Sequence, residues 1–493
     1  MARNLYDVFA GVARGQPTHP AILGPEPDDS LSYAALDDAM QSVGKRLENA
    51  GVGPGSVVGL HVPSGRDYIL LTFALWRCGA CVAPIPVELA LPEKTQFLRT
   101  VALDFVLTQE GGASFLDPVK RGTPAAILPH AQLWRVQPGR EHPPGFAAIN
   151  SAFIRFTSGT TAAAKGVVLS HETIHERIEA ADLVLRLGPS DRILWLLSMA
   201  YHFAVSIVGY LSKGSTVVLL PNHFAPAIVA AAQRWRTTLM YGAPAHYVWL
   251  AGMASPPRLP DLRLAISTTA PLDGRAAQAF REKFGLPVTQ ALGIIEVGLP
   301  FINTDFANQN AGAVGRVVPA YQLRLEDTGL GEGLKEILLA GPGFLDAYYE
   351  PWRVRSEIMP TGWFHTGDVG TIDEDGCVVL RGRTKDLISV LGLKFFPQEV
   401  ESVLTQHPAI QAANVFARTH SRLGEVPSAR VVLRPGLPRR PSEAEIVDYC
   451  RQRLAHFKVP ERIEFVDALP KTASGKVLHR DFPANEGTTR ERP

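Results

Sequence analysis

Apolar positions along the first hundred residues alternate between helical and strand spacing. Between Tyr33 and Ala50, Leu36, Met40, Val43 and Leu47 fall on one face of a helix that Gly51 ends. Val57–Val62 predicts a buried strand, Asp67–Arg77 a helix, and Val82–Pro86 another strand. This βαβ rhythm predicts an α/β protein with largely parallel sheets. Near residue 320 the pattern changes. Short alternating runs at Gln322–Glu326, Glu336–Leu339 and Val378–Arg381, punctuated by Gly and Asp, predict a smaller β-rich layer. Beyond Lys385 two helices are signalled. Pro397–Leu404 has proline in its first turn, and Ser442–Leu454 opens with a Ser442/Glu445 capping box.

One stretch has the length of a membrane span. From Ile193 to Ser212 the chain carries no Asp, Glu, Lys or Arg. His202, Gly209 and three serines interrupt it, so it reads as a buried strand, ILWLL, followed by a helix, FAVSIVGYL. At 493 residues the chain exceeds what one hydrophobic core usually serves, which predicts at least two domains. A net charge of +1, with acidic and basic residues interspersed, argues against a nucleic-acid or anionic-membrane surface. The start lacks the apolar segment of a signal peptide, and the polar tail after Phe482 is expected to fray. Cys78 and Cys81 form a CxxC, but no second pair completes a metal site. The four cysteines are expected to be structural thiols in a reducing cytoplasm.

Candidate chemistry begins at Phe156–Gly166, FTSGTTAAAKG. Thr157, Ser158, Gly159, Thr160 and Thr161 follow an apolar run and precede Lys165. Such hydroxyls, backbone N–H groups and a lysine can wrap a polyphosphate. The order Lys165-Gly166 excludes a Walker loop, which ends GK[ST]. On its own the run reads first as a polar surface loop. It has company, however. Met199-Ala200-Tyr201-His202, Ser267–Leu272 (STTAPL), Leu292–Glu296 (LGIIE) and Gly312–Pro319 (GAVGRVVP) follow in order. Then come Trp363–Asp368 (WFHTGD), Arg381–Asp386 (RGRTKD), Gly392–Glu401 (GLKFFPQEVE) and Pro470–Lys476 (PKTASGK). In kind, order and spacing this set resembles the adenylate-forming superfamily: acyl-CoA synthetases, peptide-synthetase adenylation domains and beetle luciferases.

The resemblance implies a large N-terminal domain to residue 384 and a small mobile α+β lid over residues 385–493, with Lys385 at the hinge. It implies a reaction in two halves: a carboxylic acid and ATP give an acyl-adenylate and pyrophosphate, and a thiol then displaces AMP. Lys476 would bridge carboxylate and phosphate oxygens, Glu296 would hold Mg2+, and Asp368 and Arg383 would take the ribose. Thr157, Ser158, Gly159, Thr160, Thr161 and Lys165 would hold the pyrophosphate, with Gly293 and Lys385 completing the nucleotide set. His202, Val205, Thr268, Thr269, Ala270, Leu292, Gly293, Ile294 and Ile295 would line the acyl pocket.

Several residues depart from the superfamily's pattern. Ala162 and Ala164 replace a glycine and a proline in the phosphate loop. Leu292 stands where a ring packs on adenine, and Ile295 where a threonine meets the α-phosphate. Losing that hydroxyl removes a hydrogen bond to a charged group, about 1.5–3 kcal/mol. Thr268 and Thr269 replace glycines, and Val205 adds bulk beside His202. Tyr201–Tyr210 has no carboxylate for a substrate ammonium, which excludes an α-amino acid. An apolar acid, short-to-medium chain or aromatic, is expected. The thiol is CoA or the phosphopantetheine arm of a carrier protein, which would make the chain a free-standing acyl-carrier-protein ligase. A weakly catalytic nucleotide-binding protein is the alternative of another class, and nothing selects a luciferase-type oxygenase. The expected assembly is a monomer or homodimer.

Overall fold

Two large mixed sheets share the bulk of the chain in the computed structural model, which describes residues 4–26, 29–156, 165–305, 307, 313–329, 334–391, 393–420 and 424–469. The first sheet has a parallel centre in the order Ser151–Phe156, Cys81–Pro84, Val57–His61, Phe105–Gln109. Antiparallel strands extend both of its edges, among them Gly166–Ser170 beside Ser151–Phe156. In the second, Val288–Ile294, Leu264–Ser267, Leu239–Gly242, Arg192–Trp195, Thr216–Val218 and Pro20–Leu23 run parallel. Gly298–Ile302 and Leu31–Ser32 close its edges antiparallel. The expected parallel rhythm therefore holds at the sheet centres.

One apolar core joins strands of both sheets to the helices Leu5–Gly15, Tyr33–Asn49, Arg66–Arg77 and His171–Leu185. Arg66–Arg77 is buried continuously from Tyr68 to Trp76, as a helix covered on every side must be. Tyr33–Asn49 is amphipathic and starts where Ser32 Oγ accepts from Ala35 N at 3.2 Å. The CxxC turn is structural. Gly79 sits at φ +73°, where a Cβ would meet Pro54 Cα at 3.2 Å. Cys78 and Cys81 are buried free thiols, and burial pushes the Cys78 thiol up to about 11.

The uncharged stretch resolves into the strand Arg192–Trp195 and two short helices, Met199–His202 and Ile207–Ser212. The helix expected over FAVSIVGYL is thus confined to its second half. Ser206 Oγ donates to the His202 carbonyl, diverting the backbone between the two turns. Among the described residues no helix is long and apolar enough to cross a membrane.

The β-rich layer is an antiparallel sheet of Gln322–Asp327, Lys335–Ala340, Phe364–Ile372 and Val378–Arg383. Ile337, Leu339, Phe364 and Val378 tie it to the main core. The C-terminal unit has its own sheet, built on the long hairpin Ile410–His420 and Gly424–Leu433, and its own core. That core begins at Ile388, just past Lys385. Its helices are Pro397–Gln406 and Glu443–Arg451, the second opened by the expected box: Glu445 N donates to Ser442 Oγ at 3.3 Å and Ser442 N to Glu445 Oε2 at 2.8 Å. A large α/β domain with a β-rich subdomain thus precedes a small α+β domain.

Candidate active site

Trp195, Gly242, Ser267 and Ile294 are the last residues of four neighbouring parallel strands, in register Trp195↔Tyr241, Gly242↔Ser267 and Ser267↔Gln290. Open α/β sheets bind ligands beyond such carboxyl ends. The chain leaving these ends carries His202 and Val205, then Thr268–Ala270, then Ile295 and Glu296. Leu292, Ile294, Ile295 and Val205 are half-buried against the main core, whereas Gly293 is exposed. Thr268 is buried and tied down at side chain and backbone. Its Oγ1 donates to the Ala291 carbonyl at 2.9 Å and its N–H to Gly242 O at 3.0 Å. Thr269 takes φ +80°, a left-handed conformation costing roughly 1–2 kcal/mol for a residue with a Cβ. Its backbone holds a glycine's shape without a glycine.

Glu296 lies in the turn joining Val288–Ile294 to Gly298–Ile302. Its Oε1 accepts from the Tyr348 hydroxyl at 3.0 Å. Burial, and secondly the Glu296 carboxylate, raise the Tyr348 phenol, so it stays a donor. The Tyr348 ring also carries Lys165, whose Nζ stands 4.6 Å from the ring centroid. Beneath the turn, Arg177 of helix His171–Leu185 donates to Ile295 O at 2.8 Å, to Glu296 O at 2.7 Å and to Gly343 O. Its guanidinium is fully buried, and Gly298 and Gly343 make the room: a Cβ at either would lie 3.1 or 2.7 Å from Arg177 Cγ. Burial draws the group down to about 10, which leaves it charged at neutral pH. A hard oxygen donor fixed at side chain and backbone suits Mg2+.

Asp368 and Arg383 are cross-strand partners, with Arg383 Nε 3.0 Å from Asp368 Oδ1. Arg383 Nη2 donates to Thr366 O at 2.9 Å, and Asp368 N to Thr366 Oγ1 at 3.0 Å. Lys385 follows in the single turn Thr384–Asp386. Burial and then Arg383 lower its ammonium, against the opposing pull of Asp386, Asp368 and Glu296. Lys385 therefore lies within the field of all three carboxylates. Thr157, Ser158, Gly159, Thr160, Thr161 and Lys476 fall outside the described residues; the strands bracketing the first five pair with each other, Phe156 opposite Gly166. Tyr348 and Arg177 escape sequence reasoning, because a lone tyrosine or arginine in an apolar element carries no pattern.

The AMP-binding enzyme family matches residues 9–349, and the AMP-binding enzyme C-terminal domain matches residues 399–476. A feruloyl-CoA synthase of Amycolatopsis sp is 30% identical over 471 residues, covering 91% of this chain and 92% of that protein. ATP-bound MatB from Rhodopseudomonas palustris superposes with a TM-score of 0.82 at 26% identity, covering 97% of both chains. The amide bond synthetase McbA from Marinactinospora thermotolerans gives 0.80 at 26%, covering 96% and 98%. Fold, motif order and both domain matches agree, and the protein belongs to the adenylate-forming AMP-binding enzymes.

Proposed function

We propose that this chain activates an apolar carboxylic acid, short-to-medium chain or aromatic, with ATP and passes the acyl group to CoA. It is an AMP-forming ligase of the acyl-CoA synthetase kind, for which ATP and CoA are the reactants. The observation that carries the reading is the Glu296 carboxylate, held by Tyr348 beside Lys165, with Lys385 in the field of both Glu296 and Asp368, and Asp368 paired with Arg383. Glu296 would hold Mg2+, which neutralises phosphate charge when bound. Asp368 accepts the ribose hydroxyls and Arg383 keeps that carboxylate oriented. Lys165 and the hydroxyls of Thr157–Thr161 hold the leaving pyrophosphate, and Lys476 draws the acid and the α-phosphate together. His202, Val205, Thr269, Ala270 and Ile295 wall the acyl chain. The domain boundary is placed after Thr384, with the lid turning about Lys385. Four free buried cysteines fit a reducing cytoplasm.

The test is pyrophosphate release over a panel of carboxylic acids, then mass analysis with CoA or a phosphopantetheinylated carrier protein as acceptor. Release with an apolar acid, none with α-amino acids, and an acyl-CoA product are expected. An acyl-carrier product alone would move the chain to the carrier-protein ligases. ATP binding without release for any acid would make it a nucleotide-binding homologue.

A further inference from the structure

Arg155 immediately precedes Phe156 on the strand that leads into the phosphate segment. Its side chain leaves the same strand face as Phe153, since alternate residues share a face. On that face the Phe153 ring stands 6.1 Å from Phe203, and the Tyr68 ring 5.4 Å from the same Phe203. Tyr201 lies in the turn that Phe203 caps, next to His202. The Phe153 and Tyr68 rings thus flank Phe203, two residues beyond Tyr201, and Arg155 leaves its strand on that side. The phenols of Tyr68 and Tyr201 feel the Arg155 charge, which pulls against the burial that raises both.

Two of these groups lack partners. Tyr68 is completely buried, and its hydroxyl has no hydrogen-bond partner. The Arg155 guanidinium is partly buried, and among the described residues no hydrogen bond or ion pair engages it. Burial draws it down to about 10, so it keeps its charge at neutral pH. The nearby carboxylates do not meet it. Glu88 and Glu93 are exposed, and Glu93 Oε2 already accepts from Ala90 N at 2.8 Å. Arg177, a buried cation that feels the Arg155 charge, is committed to three carbonyls. A guanidinium is a fork of donors without an acceptor, and a charge left unpaired in an apolar wall is costly.

We propose that Arg155 and the Tyr68 hydroxyl form an oxyanion subsite at the root of the acyl pocket, filled by an anionic oxygen of a reactant. That oxygen belongs either to a second carboxylate on an otherwise apolar acid or to a phosphoryl group of ATP. The inference rests on the ligase reading for the identity of the reactants, and it adds a charge-reading element to a pocket with apolar walls.

The experiment compares wild type with Arg155→Met, Arg155→Lys and Tyr68→Phe, with thermal melting to confirm folding. Pyrophosphate release is measured for mono- and dicarboxylic acids of equal chain length, and KM for ATP is measured separately. If the acid supplies the oxygen, Arg155→Met loses a preference for the dicarboxylic partner by about tenfold or more, with KM for ATP unmoved. If ATP supplies it, KM for ATP rises by about tenfold with every acid alike. In both cases Arg155→Lys recovers part of the loss and Tyr68→Phe shows a smaller loss of the same kind. Unchanged acid preference and unchanged KM for ATP in folded Arg155→Met overturn the subsite. Should no acid support pyrophosphate release, the ligase reading fails by itself. Calorimetric binding of ATP and of each acid to the same variants then decides the subsite.

Discussion

The Tyr348 hydroxyl donates to Glu296 Oε1 at 3.0 Å while the face of the same ring carries Lys165 Nζ. One phenol therefore sets an acid on the Ile294–Gly298 turn against a base at the edge of the phosphate segment. Tyr348→Phe keeps the ring under Lys165 and removes only the donor. A hydrogen bond to a charged group contributes about 1.5–3 kcal/mol. The Mg2+ concentration for half-maximal pyrophosphate release should accordingly rise about tenfold or more. A magnesium titration checks this, and a fall in that concentration would mean the hydroxyl competes with the metal.

Arg177 fixes the backbone on which Glu296 stands. Arg177→Met would take a donor from the Ile295, Glu296 and Gly343 carbonyls; Glu296 O keeps Leu345 N at 2.8 Å, and each carbonyl left unsatisfied costs about 1–3 kcal/mol. A loss of more than about 3 kcal/mol in denaturant unfolding is expected, with weakened Mg2+ dependence in whatever protein folds. Gly343→Ala should lose stability by a related route, since it sits at φ +73° with its missing Cβ aimed at Arg177. A melting curve equal to wild type for both variants would show that the glycine cradle is not needed.

How much of the fold is legible in the sequence differs by element. Helices Tyr33–Asn49 and Pro397–Gln406 were readable because their caps and apolar stripes are local signals. Strand direction at the sheet edges was not, because apolar runs do not encode it. The sequence overextends the helix over FAVSIVGYL because a serine bonding back to His202 looks no different from a solvated one. Asp368, Arg383 and Lys385 came from a contiguous motif pair that the sheet places side by side. Tyr348 and Arg177 came from nowhere in the pattern, since their partners are far away in the chain. In sequence Thr269 shows only added bulk, whereas its distinctive feature is a backbone angle that a threonine does not announce.

Two buried histidines give the fold an acid limit. Burial lowers His171 and His246 to about 4, and each ring Nδ1 lies within hydrogen-bond distance of a backbone N–H, of Leu5 and Ala243 respectively. The unfolded chain takes up both protons near the ordinary histidine value of about 6.5, so it binds more protons than the native state below that pH. Stability is fully present above about pH 6.5 and should fall as pH drops toward 4, by up to about 1.4 kcal/mol per unit for each histidine. Urea unfolding across this range should show the slope, reduced by half in a folded His246→Gln variant.

Ile295 separates two physical readings of the site. Its carbonyl is pinned by Arg177 and its side chain lies half-buried against the main core. If it only costs a phosphate hydrogen bond, Ile295→Thr should speed adenylation by up to about tenfold, equivalent to about 1.4 kcal/mol. If it walls the acyl chain, the same change should widen the range of acids with little gain on the best one. Adenylation rate and acid range measured on one variant distinguish the two.

A single short turn of backbone joins the third sheet to the C-terminal core. Lys385 occupies the turn between Val378–Arg383, which belongs to the third sheet, and the separate C-terminal core that begins at Ile388. Proline there fixes φ and constrains Thr384 before it. If the second half-reaction needs the lid turned about this residue, Lys385→Pro should release pyrophosphate at the wild-type rate yet fail to transfer the acyl group to CoA. Lys476→Ala should do the reverse, losing adenylation while converting a supplied acyl-adenylate to thioester. Lys385→Ala removes the charge and leaves the backbone free, so it separates the two roles of Lys385. If it transfers acyl groups normally, rotation is what proline blocks. If it fails like the proline variant, the ammonium near Asp368 and Glu296 acts in thioester formation itself. Normal transfer by Lys385→Pro would place the pivot elsewhere in the chain.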